Sequence, residues 1–312
     1  MKILLAEYAT GIGLKGTLLL EGRAMLSTLA DSFHCIGHDV TYLTAGSKIK
    51  SGNPVISDES TFERILEEAA KENDAGLIIG PDELLGELTD IIEKNTVNLG
   101  CPADTVRLCA DKLLCTQKLE ANSICVPKIL DPVHEGRSVI KPRYGCASEG
   151  VRLNLSNIGE KVREKEQEYI STEYVEGEHL SVSIICGQRT LPLSLNKQLI
   201  EIVENDGDTI FDYKGNQVPY RTEHEEEILR VASRTVETLG CNGYVGVDIV
   251  HGDNTYVIDV NPRPTTAIIG LVKTLKAEIG ELLLMNMFGR LPDSVNLEGE
   301  CTFTKDDIED II

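Results

Sequence analysis

Over the first hundred residues, short apolar runs alternate with stretches in which apolar residues recur at helical spacing. KILLAE, HDVTYLTA and AGLIIG have the length and composition of strands. EGRAMLSTLADSFHCIG, residues 61–71 and the segment after Pro81 have the helical period. Strand and helix in strict alternation predict parallel strands joined by crossover helices. Residues 103–122 predict two short helices, with Asp104 and Asp111 as caps and Val126-Pro127 as the stop.

Beyond residue 138 the period shortens to two. SVIKP, EYISTEYVEG, HLSVSIICG and QRTLPLSLNKQLIEIVE are rich in β-branched residues and punctuated by glycine or charge, so strands dominate to about residue 203. Residues 204–222, ENDGDTIFDYKGNQVPYRT, read as a loop. A helix, HEEEILRVASRTVETLG, should end at Gly240. It is followed by a hairpin, GYVGVDIV and TYVIDVN about a turn at HGDN, and a last helical region begins after Pro264. The pattern separates an α/β region over the first hundred residues from a strand-rich remainder.

Composition narrows the function. A chain of 312 residues, 41% hydrophobic, can build two or three cores. Fifty-one acidic residues against thirty basic give a formal charge of −21, which disfavours nucleic acid and anionic membrane surfaces as partners. Trp is absent and aromatics are 4%, so a base-stacking platform for single strands is not expected. Nine cysteines are scattered singly without zinc-like spacing, as expected of reduced thiols in a cytoplasmic protein. No apolar stretch is long enough to span a bilayer, and MKILLAEYATG turns polar too early for a signal peptide. Small-molecule partners remain, and assembly into a homo-oligomer is compatible with the sequence.

One motif points the wrong way. GIGLKG, residues 11–16, matches the dinucleotide pattern GxGxxG after a strand, but the second strand ends TYLTAG, with no acid to hold a ribose. Those glycines are expected to form a substrate-facing loop or an ordinary turn.

Four other pieces can meet on one nucleotide. Lys112, in ADKLLCT, lies in a helix's first turn, where most lysines are simply solvated. KPRYGCASEGV sets Lys141 at the end of a strand beside a loop in which Gly145, Ser148 and Gly150 let backbone N–H groups approach an anion; alone, such a loop is more often a turn. In TEYVEGEHLSV, Glu173, Tyr174 and Val175 end a strand, where peptide groups can read an adenine edge and the next polar side chains can reach a ribose. Finally, Asp259 and Asn261 share a strand face, and Asp248 meets them across the hairpin. Carboxylates inside Val/Ile runs call for a cation, and oxygen ligands suit a hard divalent ion bound to phosphate.

In that order, Lys112, the Lys141 loop, the EYVEG hinge, then Asp248, Asp259, Asn261 and Arg263 in DVNPRP resemble the ATP-grasp superfamily over about residues 100–270. The resemblance implies that superfamily's fold: an N-terminal parallel α/β domain over 1–100 and two α+β subdomains, 101–180 and 181–312, enclosing ATP. It implies that both lysines contact ATP phosphates, that the hinge reads adenine, and that Asp248, Asp259 and Asn261 hold two Mg²⁺ or Mn²⁺ ions. Many relatives have Glu where His179 stands, so the ribose contact falls to His179 or to Glu178. The activity implied is an ADP-forming carboxylate–amine ligase working through an acylphosphate, with Lys141 and Arg263 as catalytic groups. Its N-terminal segment and SLNKQLIE are similar to an archaeal group of the superfamily serving methanofuran biosynthesis, which implies joining the γ-carboxylate of L-glutamate to an amine such as tyramine. Another amino acid or small carboxylate as substrate, or a non-catalytic nucleotide sensor, are the alternatives. Arg263, Arg221 and Lys197 are candidate partners for an acidic substrate, Lys197 also for the nucleotide. Glu7 and Glu21 are candidates for an amine, and Tyr213 and Tyr220 for capping the pocket.

Overall fold

The computed structural model describes residues 1–131, 136–145, 150–154, 168–205 and 208–308. Its first sheet is parallel throughout and runs in the order β3-β2-β1-β4-β5, with β1 Lys2–Glu7, β2 Asp39–Thr44, β3 Asn53–Ile56, β4 Ala75–Ile79 and β5 Val97–Asn98. Both faces are covered, so β1 and β4 are apolar almost without interruption. Ile3 and Leu5 pack with Leu26, Leu29 and Phe33 of α2 (Thr17–Cys35). Leu4 and Ala6 pack on the other side with Phe62 and Leu66 of α3 (Phe62–Lys71) and with Leu85 and Leu88 of α4 (Asp82–Asn95). The chain leaves β1 toward β2 and returns past it to β4. That reversal opens a crevice at the strands' carboxyl ends, where Glu7 and Ile79 lie side by side. A short helix α1 (Tyr8–Ile12) starts there.

The second sheet is antiparallel. After α5 (Ala103–Ala110) and α6 (Lys112–Ala121) come β6 Ile129–Leu130, β7 Ser138–Pro142, β8 Arg152–Asn154, β9 Tyr169–Glu173, β10 Glu178–Cys186, β11 Thr190–Asn205 and β12 Asp208–Val218. Then follow α7 (Glu225–Leu239), β13 Gly243–His251, β14 Thr255–Asn261, α8 (Ala267–Thr274), α9 (Ile279–Met287) and β15 Cys301–Thr304. The order is β14-β13-β10-β11-β12-β8-β7-β9-β6, with β15 paired to β12. Ile228, Ala232, Val236 and Leu239 of α7 recur at helical spacing and bury against Val182, Ile184, Val245 and Val247 of the sheet. Gly240, at φ 72°, ends α7 in the left-handed cap that the sequence predicts. Among the described residues no helix is long and apolar enough to cross a membrane.

Three expectations need correction. Much of 204–222, read as a loop, is strand β12, which pairs with β11 from Asn205↔Asp208 to Lys197↔Gln217. Its Asp, Gly and Asn residues interrupt the apolar alternation, and Phe211, Tyr213 and Asn216 line the cavity instead of a packed core. Asp104 does not cap α5; Pro102 holds that position and Asp104 pairs with Arg107 one turn on. Helix α2 begins at Thr17, before the expected Glu21.

The hinge between β9 and β10 is seated on the β13–β14 turn by backbone contact. A Cβ on Gly177 would stand 2.3 Å from the His251 carbonyl oxygen, and one on Gly252 2.2 Å from that of Glu176. Gly177→Ala is therefore expected to lower stability by about 1–3 kcal/mol, measured by urea unfolding; an unchanged midpoint would show that the two turns are not in contact.

Candidate active site

A cavity of ≈ 330 Å³ lies between the carboxyl edge of the parallel sheet and the antiparallel sheet. That is within the size range of small-molecule sites. Its walls bring together Lys112, Lys141, Asp248, Asp259, Asn261 and Arg263, from four separate stretches of chain.

The two acids are matched by the hairpin register. Asp248 and Asp259 stand opposite each other, and one residue later the register shifts, so that Ile249 faces Val257 and Ile258 is left unpaired with β13. Such a bulge frees a backbone group from the ladder. The freed Ile258 carbonyl accepts a hydrogen bond from Lys141 Nζ at 2.8 Å. Gln198 Nε2 donates to Asp248 Oδ1 at 3.0 Å, and Asn261 Nδ2 donates to Oδ2 at 3.1 Å. Burial first, and the neighbouring Asp259 second, push the Asp248 carboxyl up to about 7.

The two lysines differ. Lys112 Nζ donates to the Gly145 carbonyl at 2.8 Å and stands 3.4 Å from Asp259 and 3.5 Å from Asp82. Burial pulls its pKa down, but Asp259 and Asp82 more than offset that and raise it to about 12. Burial lowers the Lys141 ammonium below its usual range, with Asp259 only partly opposing. Asp82 closes the cluster from the other sheet, with one oxygen toward Lys112 and the other 3.6 Å from Arg263. Burial raises the Asp82 carboxyl, against the pull of Arg263 and Lys112. Asp82 was not foreseen from sequence. Its signal was available: an acid opening a helix directly after a parallel strand, at the reversal of strand order.

The loop after β7 is pinned where it begins. Asp111 caps α6 by accepting from Leu114 N at 3.1 Å. The same carboxylate receives Arg143 Nε and Nη2 at 2.8 and 2.6 Å and the Tyr144 hydroxyl at 2.9 Å. Lys112 N donates to the Arg143 carbonyl at 3.0 Å. Gly145 (φ 135°) and Gly150 (φ 73°) take conformations that favour glycine. Ser148 lies outside the described residues.

At the hinge, Glu173, Tyr174 and Val175 line the cavity. Among the described residues the Val175 peptide groups have no backbone partner. Tyr174 stacks on Phe211 at 6.4 Å, and the His179 ring meets Phe211 at 6.1 Å. His179 lines the cavity. Glu178, its neighbour on β10, instead binds Lys197 Nζ at 2.8 Å and the Tyr220 hydroxyl at 2.9 Å. Lys197, Glu178 and Tyr220 thus satisfy one another. Arg221 is exposed and pairs with Glu225 at 2.8 Å, away from the cavity wall.

Glu7 and Glu21 both line the cavity, in different states. Glu7 accepts from Ala9 N, Thr10 N and Thr10 Oγ1 at 3.0, 2.7 and 2.6 Å, which caps α1. Glu21 Oε1 is buried without a hydrogen bond, and Lys305 Nζ stands 3.7 Å from it. Tyr213 lines the cavity too, its hydroxyl 3.0 Å from Thr266 Oγ1. Of GIGLKG, Gly11 packs against the Phe62 ring, Gly13 caps α1 and Leu14 faces the cavity, so no dinucleotide turn forms.

Among the described residues no group of three or more His, Cys, Asp or Glu side chains is arranged to chelate a metal. Two carboxylates and an amide on adjacent strands are a partial oxygen set. It suits an ion that keeps its other positions for phosphate oxygens and water. A buried carboxylate pair that raises its own pKa is also a place where a cation is favourable. The residues fit a phosphate-bound divalent ion.

Comparison with known proteins identifies the family. The ATP-grasp domain family matches residues 109–267. The tyramine–L-glutamate ligase of Methanocaldococcus fervens is 34% identical over 297 residues, covering 91% of this chain and 93% of that protein. The crystal structure of an ATP-grasp superfamily protein from Archaeoglobus fulgidus superposes with a TM-score of 0.73 at 29% identity, covering 95% of this chain and 90% of that one. The biotin carboxylase domain of Hydrogenobacter thermophilus 2-oxoglutarate carboxylase, solved with MgADP, ADP and bicarbonate, also gives 0.73, covering 96% and 73% of the two chains. At 14% identity it shares the fold alone.

Because burial is outweighed by Arg143, Leu114 N and Tyr144, the Asp111 carboxyl titrates below its usual range. A lowered carboxyl stabilises the fold above its unfolded pKa, and that stability is lost as pH falls through the lowered value. Asp111→Asn is expected to lose about 1–2 kcal/mol at neutral pH. The gap from the parent should narrow below pH ~4. Equal unfolding midpoints at neutral pH would mean that the loop is not pinned here.

Proposed function

The chain belongs to the ATP-grasp family, and from that premise we propose that it joins the γ-carboxylate of L-glutamate to the amine of tyramine with release of ADP and phosphate. It has the ATP-grasp fold, a parallel N-terminal sheet followed by a curled antiparallel one. Enzymes of this family use ATP and divalent metal ions. The observation that carries the reading is the convergence of Lys112, Lys141, Asp248, Asp259, Asn261 and Arg263 on one cavity, in a chain so similar to tyramine–glutamate ligases over most of its length.

In this reading Lys112 and Lys141 hold the phosphates, the loop through Ser148 and Gly150 covers them, and the peptide groups of residues 173–175 read adenine. His179 faces the ribose. Asp248, Asp259 and Asn261 hold two Mg²⁺ or Mn²⁺ ions, which neutralise charge on the phosphates. The units 1–100, 101–180 and 181–312 close on the nucleotide, the second boundary passing through β10, and the reaction belongs in the cytoplasm, where ATP is supplied. The glutamate γ-carboxylate oxygen attacks the terminal phosphorus and ADP leaves. The amine nitrogen then attacks the acyl carbon, the C–O bond to phosphate breaks, and the amine's surplus proton is lost. Arg263, 3.6 Å from Asp82, is assigned to stabilise the oxyanion. Exclusion of water protects the acylphosphate from hydrolysis. A nucleotide sensor has no need of this full set and is not favoured.

Purified protein with ATP, Mg²⁺, glutamate and tyramine should release ADP and phosphate and yield the amide by mass; no ADP release with this pair would overturn the substrate assignment. Asp259→Ala should lower kcat by roughly 10²-fold or more, and full turnover in that variant would remove the metal assignment. For Lys141→Ala, nucleotide affinity should fall about tenfold; parental affinity would count against the phosphate role.

A further inference from the structure

The cluster around Lys112 and the hinge leave one wall of the cavity unused. It is made by α2, β12 and the start of α8. Leu18, Glu21, Gly22 and Met25 of α2 all line the cavity, and their spacing puts them on one helix face. Leu14, just before α2, joins them. Leu14 and Leu18 are 38% and 42% exposed, apolar surface that the described core does not cover.

Within that apolar wall stand two buried acceptors. Glu21 is 8% exposed and Asn216 2%; among the described residues Asn216 Oδ1 has no hydrogen-bond partner, and Glu21 Oε1 has only the Lys305 ammonium, at the long distance of 3.7 Å. Asn216 is oriented by its own amide, since Nδ2 donates to the Tyr213 hydroxyl at 2.5 Å and that hydroxyl meets Thr266. Buried acceptors without donors are unfavourable unless something supplies the donors. A carboxylate and an amide oxygen beside apolar side chains match a primary ammonium on an apolar body. Glu7 does not compete for this role, because three donors already occupy its carboxylate.

We propose that Glu21 and Asn216 seat the ammonium of the amine substrate and that Leu14, Leu18 and Met25 cover its apolar body, making this wall the determinant of amine specificity. An arylalkyl amine fits better here than the amino acid, whose α-carboxylate finds no cation lining this wall; Lys305 approaches Glu21 without lining the cavity. Burial raises the Glu21 carboxyl, although Lys305 and Arg263 pull it back. Glu21 is thus able to take the proton that the ammonium loses before its nitrogen attacks the acyl carbon.

This inference rests on the ligase reading, and one assay separates their failures. Parent and Glu21→Gln enzymes are supplied with ATP, Mg²⁺ and glutamate, and with either tyramine or hydroxylamine, a small nucleophile that is neutral near pH 7 and needs no ammonium seat. For Glu21→Gln, KM for tyramine should rise at least tenfold, and the preference for tyramine over hydroxylamine should fall by a similar factor. KM for ATP and glutamate should hold within about twofold. Leu18→Ala, which keeps both acceptors, should shift preference from tyramine toward ethylamine, and it tests the same wall if Glu21→Gln fails to fold. An unchanged tyramine preference in either folded variant, or equal losses with both nucleophiles, would overturn the amine seat alone. No hydroxamate from the parent enzyme would overturn the ligase reading and this inference with it.

Discussion

Four of the charges buried between the two sheets offset one another. Lys112, Asp82, Asp259 and Arg263 form one chain of opposite charges that crosses from the parallel sheet to the antiparallel one. Removing a buried partner generally leaves an uncompensated charge that is more destabilising than the pair was stabilising. The crevice between the sheets therefore depends on this alternation. The same arrangement suits a polyanion with divalent ions, since phosphate oxygens can take the place of carboxylates beside the lysines and cations the place of ammonium groups beside the acids.

Backbone geometry positions these charges. The irregular register around Ile258 gives Lys141 a carbonyl to hold and sets Asp259 opposite Asp248. Asp111 does comparable work on the other side, with one carboxylate serving a helix N-terminus, an arginine and a tyrosine. It joins the start of α6, and so Lys112, to the start of the loop after β7. Side chains held by such shared backbone and carboxylate partners lose little freedom when a ligand arrives.

The cavity carries two kinds of information. The side proposed for the nucleotide is built from residues inside the ATP-grasp match at 109–267, and one fold can host many reactions. Its α2 side is built from a helix face in which one acid interrupts an apolar stripe. Substrate choice is expected to reside in the second, because adenine and phosphate are the same for every member while the acceptor differs.

Period-two alternation was enough to set Asp259 and Asn261 on one face, but the register that follows from the turn would pair Asp248 with Ile258, and it is the bulge at Ile258 that brings Asp248 opposite Asp259. Strand and helix alternation was likewise enough for the parallel sheet, since apolar burial on both faces leaves its mark in every strand. Other features depended on what packs against what. Neighbouring Glu178 and His179 point to opposite sides of β10, and only the closed fold shows that His179 faces the cavity while Glu178 meets Lys197 and Tyr220. Asp82, far from the ATP-grasp motifs in sequence, reaches Lys112 and Arg263 only when the two sheets meet. Strand β12 reads as a loop because Asp, Gly and Asn interrupt its alternation and Phe211, Tyr213 and Asn216 line the cavity rather than a packed core. Local periodicity thus carried most of the elements and the shared face of Asp259 and Asn261, whereas a bulge and contacts between elements distant in sequence decided which acids meet and which charges are paired.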